Sequence, residues 1–274
     1  MIRRPGLAGA LRAPAADAMK ESGDLLLGPH AVLEALRGGG RRIGRILVAR
    51  ERPDVRIAEI IRLATARGVG VRQEGRQRLD VLAKGIPHQG VVALVSQSTY
   101  EDPFELVGRI KARTSSPLLI VLDGIQDPQN LGAIVRTGEA AGADALFVAR
   151  HRAVGITPAA ARASAGALEY LPVARIPGLP AFLEWLKGQA VWVLGADPNT
   201  GRSLYDIDLR IPLALVIGAE HRGLRPLVRE RCDLLAKVPM RGRLASLNAA
   251  AAAAIFLFEI GRQRDTQDHS SHTR

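Results

Sequence analysis

Cysteine and histidine are scarce in this sequence of 274 residues, which has one cysteine, Cys232, and six histidines. A single cysteine excludes an internal disulfide and any cysteine-rich zinc site. The histidines lack the HxxxH-type spacing that is typical of a metal site. We therefore expect no bound metal and a reducing, cytoplasmic setting.

Long apolar runs are also absent. The longest run, residues 249–258, falls well short of the roughly 18 residues that a membrane-spanning helix needs. No charged-then-apolar leader opens the chain, so the membrane and secreted classes are disfavoured. Residues 1–23 are rich in Ala, Arg, Pro and Gly without a sustained period and are predicted to be a disordered tail. A transit peptide and a start at Met19 are the alternatives there.

Aromatic residues make up only 4% of the chain, which argues against a protein that stacks single-stranded bases on aromatic rings. Basic residues are in excess, since 38 Lys and Arg against 27 Asp and Glu give a net charge of +11. The expected partner is a polyanion, first of all RNA or the ribosome, contacted at phosphate and ribose. The alternative is a GC-rich genome that raises the arginine content without a functional reason.

The chain divides into two patterned regions. Residues 24–96 alternate helix and strand patterns, which predicts a small α/β domain, and their 13 basic and 7 acidic residues predict that it binds the RNA. Residues 97–116 are predicted to be a linker. Residues 117–263 begin with a continuous apolar run and alternate again, which predicts a doubly wound α/β domain with ligands at the carboxyl ends of its parallel strands. Residues 264–274 are predicted to be a disordered tail.

Three polar loops follow apolar strands of this second domain. In the first, Gln126, Asp127, Gln129, Asn130 and Arg136 form a dense polar set near the start of a helix. The structural alternative makes Asn130 the cap of that helix and Arg136 a solvated side chain. We favour a functional role because a crevice is expected at this end of the strand.

The second loop covers residues 217–224 and lacks the GxGxxG dinucleotide fingerprint. Gly218 and a second glycine five residues later predict a tight turn and a close approach of a ligand to the backbone. Glu220 either acts in the site or pairs with an arginine two or five residues further on, and the spacing does not choose between these hypotheses.

The third loop, Met240 to Leu247, leads into a helix that begins with six alanines. Ser246 and Asn248 lie at the mouth of this apolar helix, where polar side chains need hydrogen-bond partners. A plain buried helix is the alternative. Because all three loops follow strands in the same topological position, the sequence predicts that they form one site.

The three loops carry a family resemblance. In order and spacing, the segments NLGAIVR (130–136), GAEHRG (218–223) and PMRGRLASLN (239–248) resemble the three motifs of the SpoU (TrmH-like) RNA ribose 2'-O-methyltransferases of the SPOUT superfamily. Residues 27–36 and 88–93 resemble the ribosomal-protein-like RNA-binding domain of its RlmB branch, which methylates a guanosine of large-subunit (23S) ribosomal RNA. The smaller transfer-RNA enzymes of the family lack that domain.

The resemblance implies a trefoil-knotted C-terminal domain, a homodimer, and S-adenosylmethionine as the donor of a methyl group to a ribose 2'-hydroxyl. It also implies two sets of site residues. The cofactor would bind against Leu194, Gly195, Ala196, Gly218, Val238, Met240 and Leu247. The reacting centre would be lined by Asn130, Arg136, Glu220, Ser246 and Asn248.

Arg136 is expected to clamp a phosphate and to stabilise the developing alkoxide, because a guanidinium stays protonated in almost any protein site. One departure from the family is the pair Ala249 and Ala250, where Val-Ser usually follows the Ser-Leu-Asn segment; we expect activity to survive it. The alternatives are methylation of transfer RNA, methylation of another ribosomal nucleotide as in antibiotic-resistance enzymes, and a non-catalytic RNA-binding protein of ribosome assembly. The intact polar residues rank the last of these below an enzyme.

Overall fold

The chain folds into two α/β units, seen here in a computed structural model that describes residues 24–38, 42–50, 55–96, 100–220, 222–244 and 246–271. The predicted N-terminal tail, residues 1–23, lies outside the described residues. The elements of the first unit are, in order, β1 (Asp24–Leu27), α1 (Pro29–Gly38), β2 (Ile43–Ala49), α2 (Val55–Ala66), β3 (Gly70–Glu74), α3 (Arg76–Ala83) and β4 (Val91–Val95).

The first unit is a four-stranded sheet in the order β1-β4-β2-β3 with helices on both faces. Strand β4 is almost entirely buried and runs antiparallel to β1 and β2. One face buries Val32, Leu36 and Ile60 against the sheet, and the other face buries Leu79. The predicted small α/β domain is confirmed.

The second unit has a six-stranded parallel sheet in the order β10-β8-β9-β5-β6-β7. Its elements are α4 (Pro103–Arg113), β5 (Leu118–Asp123), α5 (Pro128–Ala140), β6 (Ala145–Ala149), α6 (Pro158–Ala163), β7 (Val173–Ile176), α7 (Leu179–Gly188), β8 (Trp192–Ala196), β9 (Leu213–Gly218), α8 (Pro226–Arg231), β10 (Leu234–Ala236) and α9 (Ala249–Ser271). All six residues of β5 are buried, as expected for a strand covered on both faces. The doubly wound α/β prediction is confirmed.

The strand order places the site. The chain starts at β5 in the middle of the sheet, builds outward through β6 and β7, and then crosses over to β8, β9 and β10 on the other side. The order therefore reverses between β5 and β9, and parallel sheets of this kind bind ligands outside the carboxyl ends of the strands at such a point. The trefoil knot that the resemblance implies stays a prediction.

The C-terminal tail prediction is wrong at its start. Helix α9 continues to Ser271, so residues 264–271 are helical. The guanidinium of Arg264 explains part of this extension, because it donates to the backbone carbonyls of Ser116 and Ile211 at 2.8 Å each. The pattern of apolar residues does not predict this part of the helix, because a charged side chain that donates to backbone carbonyls holds it in place.

The stretch predicted as a linker contains a packed helix. Helix α4 starts at Pro103, and the side chain of Asp102 caps it by accepting from the backbone N–H groups of Phe104 and Glu105. Its residues Leu106 and Ile110 are buried in the core on one face of the large sheet. No helix of the described residues combines the length and the apolarity that crossing a membrane requires.

Candidate active site

The loop after β5 places Asn130 in the first turn of α5. The carboxylate of Asp127 caps this helix by accepting from the backbone N–H of Gln129 at 2.9 Å, and Pro128 occupies the first helical position. The structural alternative for Asn130 is therefore wrong, because Asp127 is the cap. The side chain of Asn130 is free to act elsewhere, although only 8% of the residue is exposed.

The loop after β9 is a tight reversal that depends on Gly218. The N–H of Gly223 donates to the carbonyl of Ala219 at 2.8 Å, and Gly223 has a φ of +61°. This reversal brings the backbone back over Gly218, so a Cβ at that position would lie 2.3 Å from the carbonyl carbon of Gly223. The predicted tight turn is present, and it presents Glu220 to solvent.

A buried ion pair anchors the end of the same loop. The carboxylate of Asp123, at the end of β5, accepts from the Nε of Arg225 at 2.5 Å and from its backbone N–H at 2.8 Å. The side chain of Asp123 is fully buried in this pair. The sequence analysis did not predict this pair, although an acidic residue at the end of an otherwise apolar strand was a usable signal.

The loop before α9 contributes Asn248, which caps that helix. Its Oδ1 accepts from the backbone N–H groups of Ala250 at 2.9 Å and Ala251 at 3.2 Å. Its Nδ2 donates to Oδ1 of Asn130 at 2.9 Å and also to Oε1 of Glu220. Since the cap fixes the amide plane, the donor side of Asn248 is aimed by the helix itself. Ala250, where the family usually has serine, takes part through its backbone alone.

Three of the five predicted reacting-centre residues therefore form one cluster, which we call the amide cluster: Asn130, Glu220 and Asn248. Besides the bond from Asn248, Glu220 accepts from Nδ2 of Asn130 at 3.1 Å. Two amides from two other loops thus converge on one carboxylate. The alternative that Glu220 pairs with an arginine is not what the structure shows, since Arg225 is held by Asp123.

The other two predicted residues make no hydrogen bond to the amide cluster among the described residues. Ser246 is exposed at the rim of a neighbouring cavity. Arg136 is exposed on α5, six residues after Asn130, and therefore points to a different side of the helix about 9 Å further along its axis. It makes no ion pair or hydrogen bond with any of the described residues. Their roles stay predictions.

A cavity of about 310 Å³, cavity A, lies between residues 196–199 after β8, residues 217–220, residues 236–240 after β10, and the start of α9. Five of the seven predicted cofactor residues line it: Ala196, Gly218, Val238, Met240 and Leu247. Leu194 and Gly195 lie deeper in β8, outside the lining. Leu194 is wholly buried in the core, and Gly195 packs against Cys232, Leu224 and Leu235.

One wall of cavity A is an ion pair that the sequence analysis did not identify. Oδ2 of Asp197 accepts from Nε of Arg229 at 2.5 Å, and Oδ1 accepts from the backbone N–H of Asn199 at 2.9 Å. Burial works to raise the pKa of Asp197, but the hydrogen bonds from Arg229 and Asn199 outweigh it, so the pKa is lowered. The wall therefore stays charged at neutral pH.

A second cavity of about 470 Å³, cavity B, adjoins cavity A on the other side of the loop that carries Glu220. It opens among residues 123–127 after β5, residues 151–152 after β6, and Arg222 and Arg225 after β9. Because Asn130 and Glu220 line it, the amide cluster lies at the boundary between the two cavities. In the part of the chain that the structure describes, no group of His, Cys, Asp and Glu is placed to hold a metal ion.

Comparisons with known proteins agree with this arrangement. The family described as SpoU rRNA Methylase matches residues 117–258, and the domain described as RNA 2'-O ribose methyltransferase substrate binding matches residues 25–101. The chain is similar to the 23S rRNA (guanosine-2'-O-)-methyltransferase RlmB of Pseudomonas aeruginosa, with 39% identity over 237 residues that cover 86% of this chain and 95% of that protein. For RlmB of Coxiella burnetii the identity is 38% over 240 residues, or 88% of this chain and 96% of that one.

A solved structure with a bound ligand is similar over nearly the same length. It is the SpoU methyltransferase AviRb from Streptomyces viridochromogenes in complex with the cofactor AdoMet (S-adenosylmethionine). The TM-score is 0.73 at 29% sequence identity, and the match covers 88% of this chain and 90% of that one. Both units of the fold, and not only the large sheet, are therefore shared.

Proposed function

Because the chain belongs to the SpoU rRNA methylase family, we propose that cavity A holds its methyl donor and that the amide cluster positions the ribose that receives the methyl group. The chain is an enzyme that uses S-adenosylmethionine to methylate the ribose 2'-hydroxyl of a guanosine in 23S ribosomal RNA. The observation that carries the assignment of the site is that amides from two loops meet the carboxylate of a third loop at the boundary of two cavities.

The lining of cavity A fits this cofactor. Val238 and Phe256 supply apolar surface of the kind that packs against an adenine ring. The methionine part of the cofactor carries both signs of charge, and the cavity offers Asp197 and Glu220 for the cation and Lys237 for the carboxylate. When bound, S-adenosylmethionine supplies a methyl group on a positively charged sulfur.

The amide cluster contributes positioning. Glu220 is held by donors from Asn130 and Asn248, so its carboxylate keeps a fixed place beside both cavities. The exposed hydroxyl of Ser246 at the rim of cavity A can both donate to and accept from the ribose. Holding two reactants in line supplies a large part of the rate of such a transfer.

Arg136 acts on the RNA backbone in this scheme. Its guanidinium is exposed and unpaired among the described residues, which suits a bidentate contact to a phosphate. Because a guanidinium stays protonated, Arg136 stabilises negative charge and does not serve as the base.

We also propose that the enzyme acts as a homodimer in the cytoplasm, where its ribosomal RNA substrate resides. Helices α5 and α9 pack against each other, and α9 leaves Phe258 55% exposed beside the exposed Ala251. Aromatic residues are enriched at protein–protein interfaces relative to the rest of the surface, which supports this face of α9 as the contact. Sedimentation velocity tests this part: wild-type protein should sediment as a dimer and Phe258→Glu as a monomer, whereas a monomeric wild type would contradict the interface.

Calorimetric titration with S-adenosylmethionine tests the assignment of cavity A. Ala196→Phe places a ring in the cavity and should abolish binding, while Ala140→Phe, at an exposed position of α5, should bind as the wild type does. Thermal unfolding of both variants checks that each is folded. Binding by Ala196→Phe at wild-type affinity would put the cofactor elsewhere. Failure of the wild type to bind would favour a non-catalytic RNA-binding protein.

A further inference from the structure

Cavity B adjoins cavity A at the carboxyl ends of the strands. It is formed at the carboxyl ends of three neighbouring strands, β9, β5 and β6. It shares the wall of Ala219, Glu220 and Gly223 with cavity A, so the two cavities are separated only by the loop that carries the amide cluster's carboxylate. On the side away from cavity A, cavity B is lined by His151 and Arg152. Neither residue was expected at the site from the sequence.

The far side of cavity B is built into the fold. The backbone N–H of Val154 donates to the carbonyl of Ile125 at 2.9 Å, which ties the loop after β6 to the loop after β5. Arg152 itself has a φ of +60°, a left-handed backbone conformation that residues other than glycine rarely adopt. Backbone strain of this kind persists where the surrounding structure holds it and is common at ligand sites.

Some charged groups of cavity B have an ion-pair partner among the described residues, and others do not. Asp123 is neutralised by Arg225, as described above. Arg152 and Arg222 are both exposed, and neither has an ion-pair or hydrogen-bond partner among the described residues. At the mouth, Gln126 and Asp127 supply exposed oxygen acceptors. Two guanidinium groups without a partner among the described residues thus line a cavity that also contains acceptors.

This combination matches the edges of guanine. The O6 and N7 atoms of guanine are both acceptors and take two hydrogen bonds from one guanidinium, whereas adenine presents a donor in place of O6. The N1–H and N2–H groups of guanine are donors that a carboxylate or amide oxygen accepts. An unstacked base can also lie against an imidazole ring, such as that of His151.

We propose that cavity B is the subsite for the acceptor nucleotide and that Arg152 selects guanine by donating to its O6 and N7. This inference rests on the proposed function. The amide cluster and cavity A do not explain which base the enzyme accepts. The inference assigns that choice to Arg152. Arg152 is a specificity-determining residue in this scheme, and the transfer itself occurs at the boundary with cavity A.

The test compares two transcripts of large-subunit ribosomal RNA, one with the guanosine that the wild-type enzyme methylates and one with adenosine there. The principal variant is Arg152→Gly, because glycine keeps the left-handed backbone while the side chain is removed. Arg152→Lys keeps the charge and donors that can reach O6 and N7 of guanine, but it lacks the planar fork of a guanidinium. The matched control is Arg150→Ala, an exposed arginine two residues away that does not line cavity B.

The wild type and Arg150→Ala should prefer guanosine by about tenfold or more in kcat/KM, as a bidentate arginine contact provides. Arg152→Gly should lose about tenfold on the guanosine transcript. Arg152→Gly should show a ratio between the two transcripts that approaches one, and Arg152→Lys a ratio between that of Arg152→Gly and that of the wild type. All variants should bind S-adenosylmethionine as the wild type does, because Arg152 does not line cavity A.

An unchanged preference for guanosine in Arg152→Gly, with cofactor binding intact, would overturn the subsite and leave the proposed function standing. Activity that falls equally on both transcripts would assign Arg152 to the phosphate backbone and would also overturn base selection. A wild type that neither binds S-adenosylmethionine nor methylates either transcript would instead refute the proposed function, and the subsite with it.

Discussion

Replacing Gly218 by alanine should disable the site without unfolding the protein. The added Cβ would lie 2.3 Å from the carbonyl carbon of Gly223, 2.4 Å from its oxygen and 2.5 Å from the nitrogen of Leu224. These are backbone atoms that cannot rotate away. Since nonbonded heavy atoms prefer about 3.5 Å or more, the loop must move back by about 1 Å. Such overpacking typically costs about 1–3 kcal/mol.

The displaced loop carries Glu220 and forms walls of both cavities, so the damage should exceed the loss of stability. A misplacement of about 1 Å can cost about 100-fold in rate, and we expect that loss in methyl transfer by Gly218→Ala. Affinity for S-adenosylmethionine should fall by about tenfold, the equivalent of about 1.4 kcal/mol. The assays are calorimetric titration with the cofactor and methyl transfer to ribosomal RNA.

The matched control is Gly201→Ala, in the exposed loop after β8, where an added Cβ meets no atom within 4 Å. It should behave as the wild type in both assays. Wild-type cofactor affinity and turnover in Gly218→Ala would show that the site does not depend on the position of this loop, contrary to the geometry. A protein that does not fold would show that the loop is needed for folding as well as for the site.

Three further predictions concern single side chains. Asn248→Asp keeps the cap of α9 but replaces the amide that donates to Glu220 by a second carboxylate, so turnover should fall sharply. Asn248→Ala also removes the cap, so thermal unfolding should show a further loss of about 0.5–2 kcal/mol in stability. The folded pKa of Asp197 lies below its ordinary value of 3.8, so the wild type should be more stable than Asp197→Asn by a constant margin well above that pH. This margin in the free energy of unfolding should shrink as the pH falls from 3.8 through the folded pKa. A margin that persists there would contradict the ion pair with Arg229. Arg136→Lys should bind S-adenosylmethionine normally but lose RNA affinity and turnover, and near-native values for both would contradict the phosphate contact.

The sequence predicted the large sheet and the three loops because each depends on local pattern. A continuous apolar run such as residues 118–123 indicates a strand covered on both faces, and polar residues directly after such a run indicate the edge where ligands bind. The hydrogen bonds among Asn130, Glu220 and Asn248 follow from that placement. The resemblance to a family added the cofactor and the ribose, which no pattern of apolar residues contains.

The missed features depend on which distant segments become neighbours. Asp123 and Arg225 are 102 residues apart in the chain, and Asp197 and Arg229 are 32 apart, so neither pair has a local signature. The same reason hid the subsite around Arg152, because the loop after β6 carries no motif and becomes part of the site only through the strand order. Arg264 shows the limit of periodicity, since it extends α9 by satisfying carbonyl groups and not by burying an apolar face.

The central claim is that this chain methylates the ribose of one guanosine in large-subunit ribosomal RNA. The most direct measurement is a map of ribose methylation across ribosomal and transfer RNA from cells with and without the gene, with the gene restored as the control. We expect a single 2'-O-methylguanosine to disappear from 23S ribosomal RNA without the gene and to return when the gene is restored. A mark lost from transfer RNA alone, or no lost mark in either RNA, would contradict it.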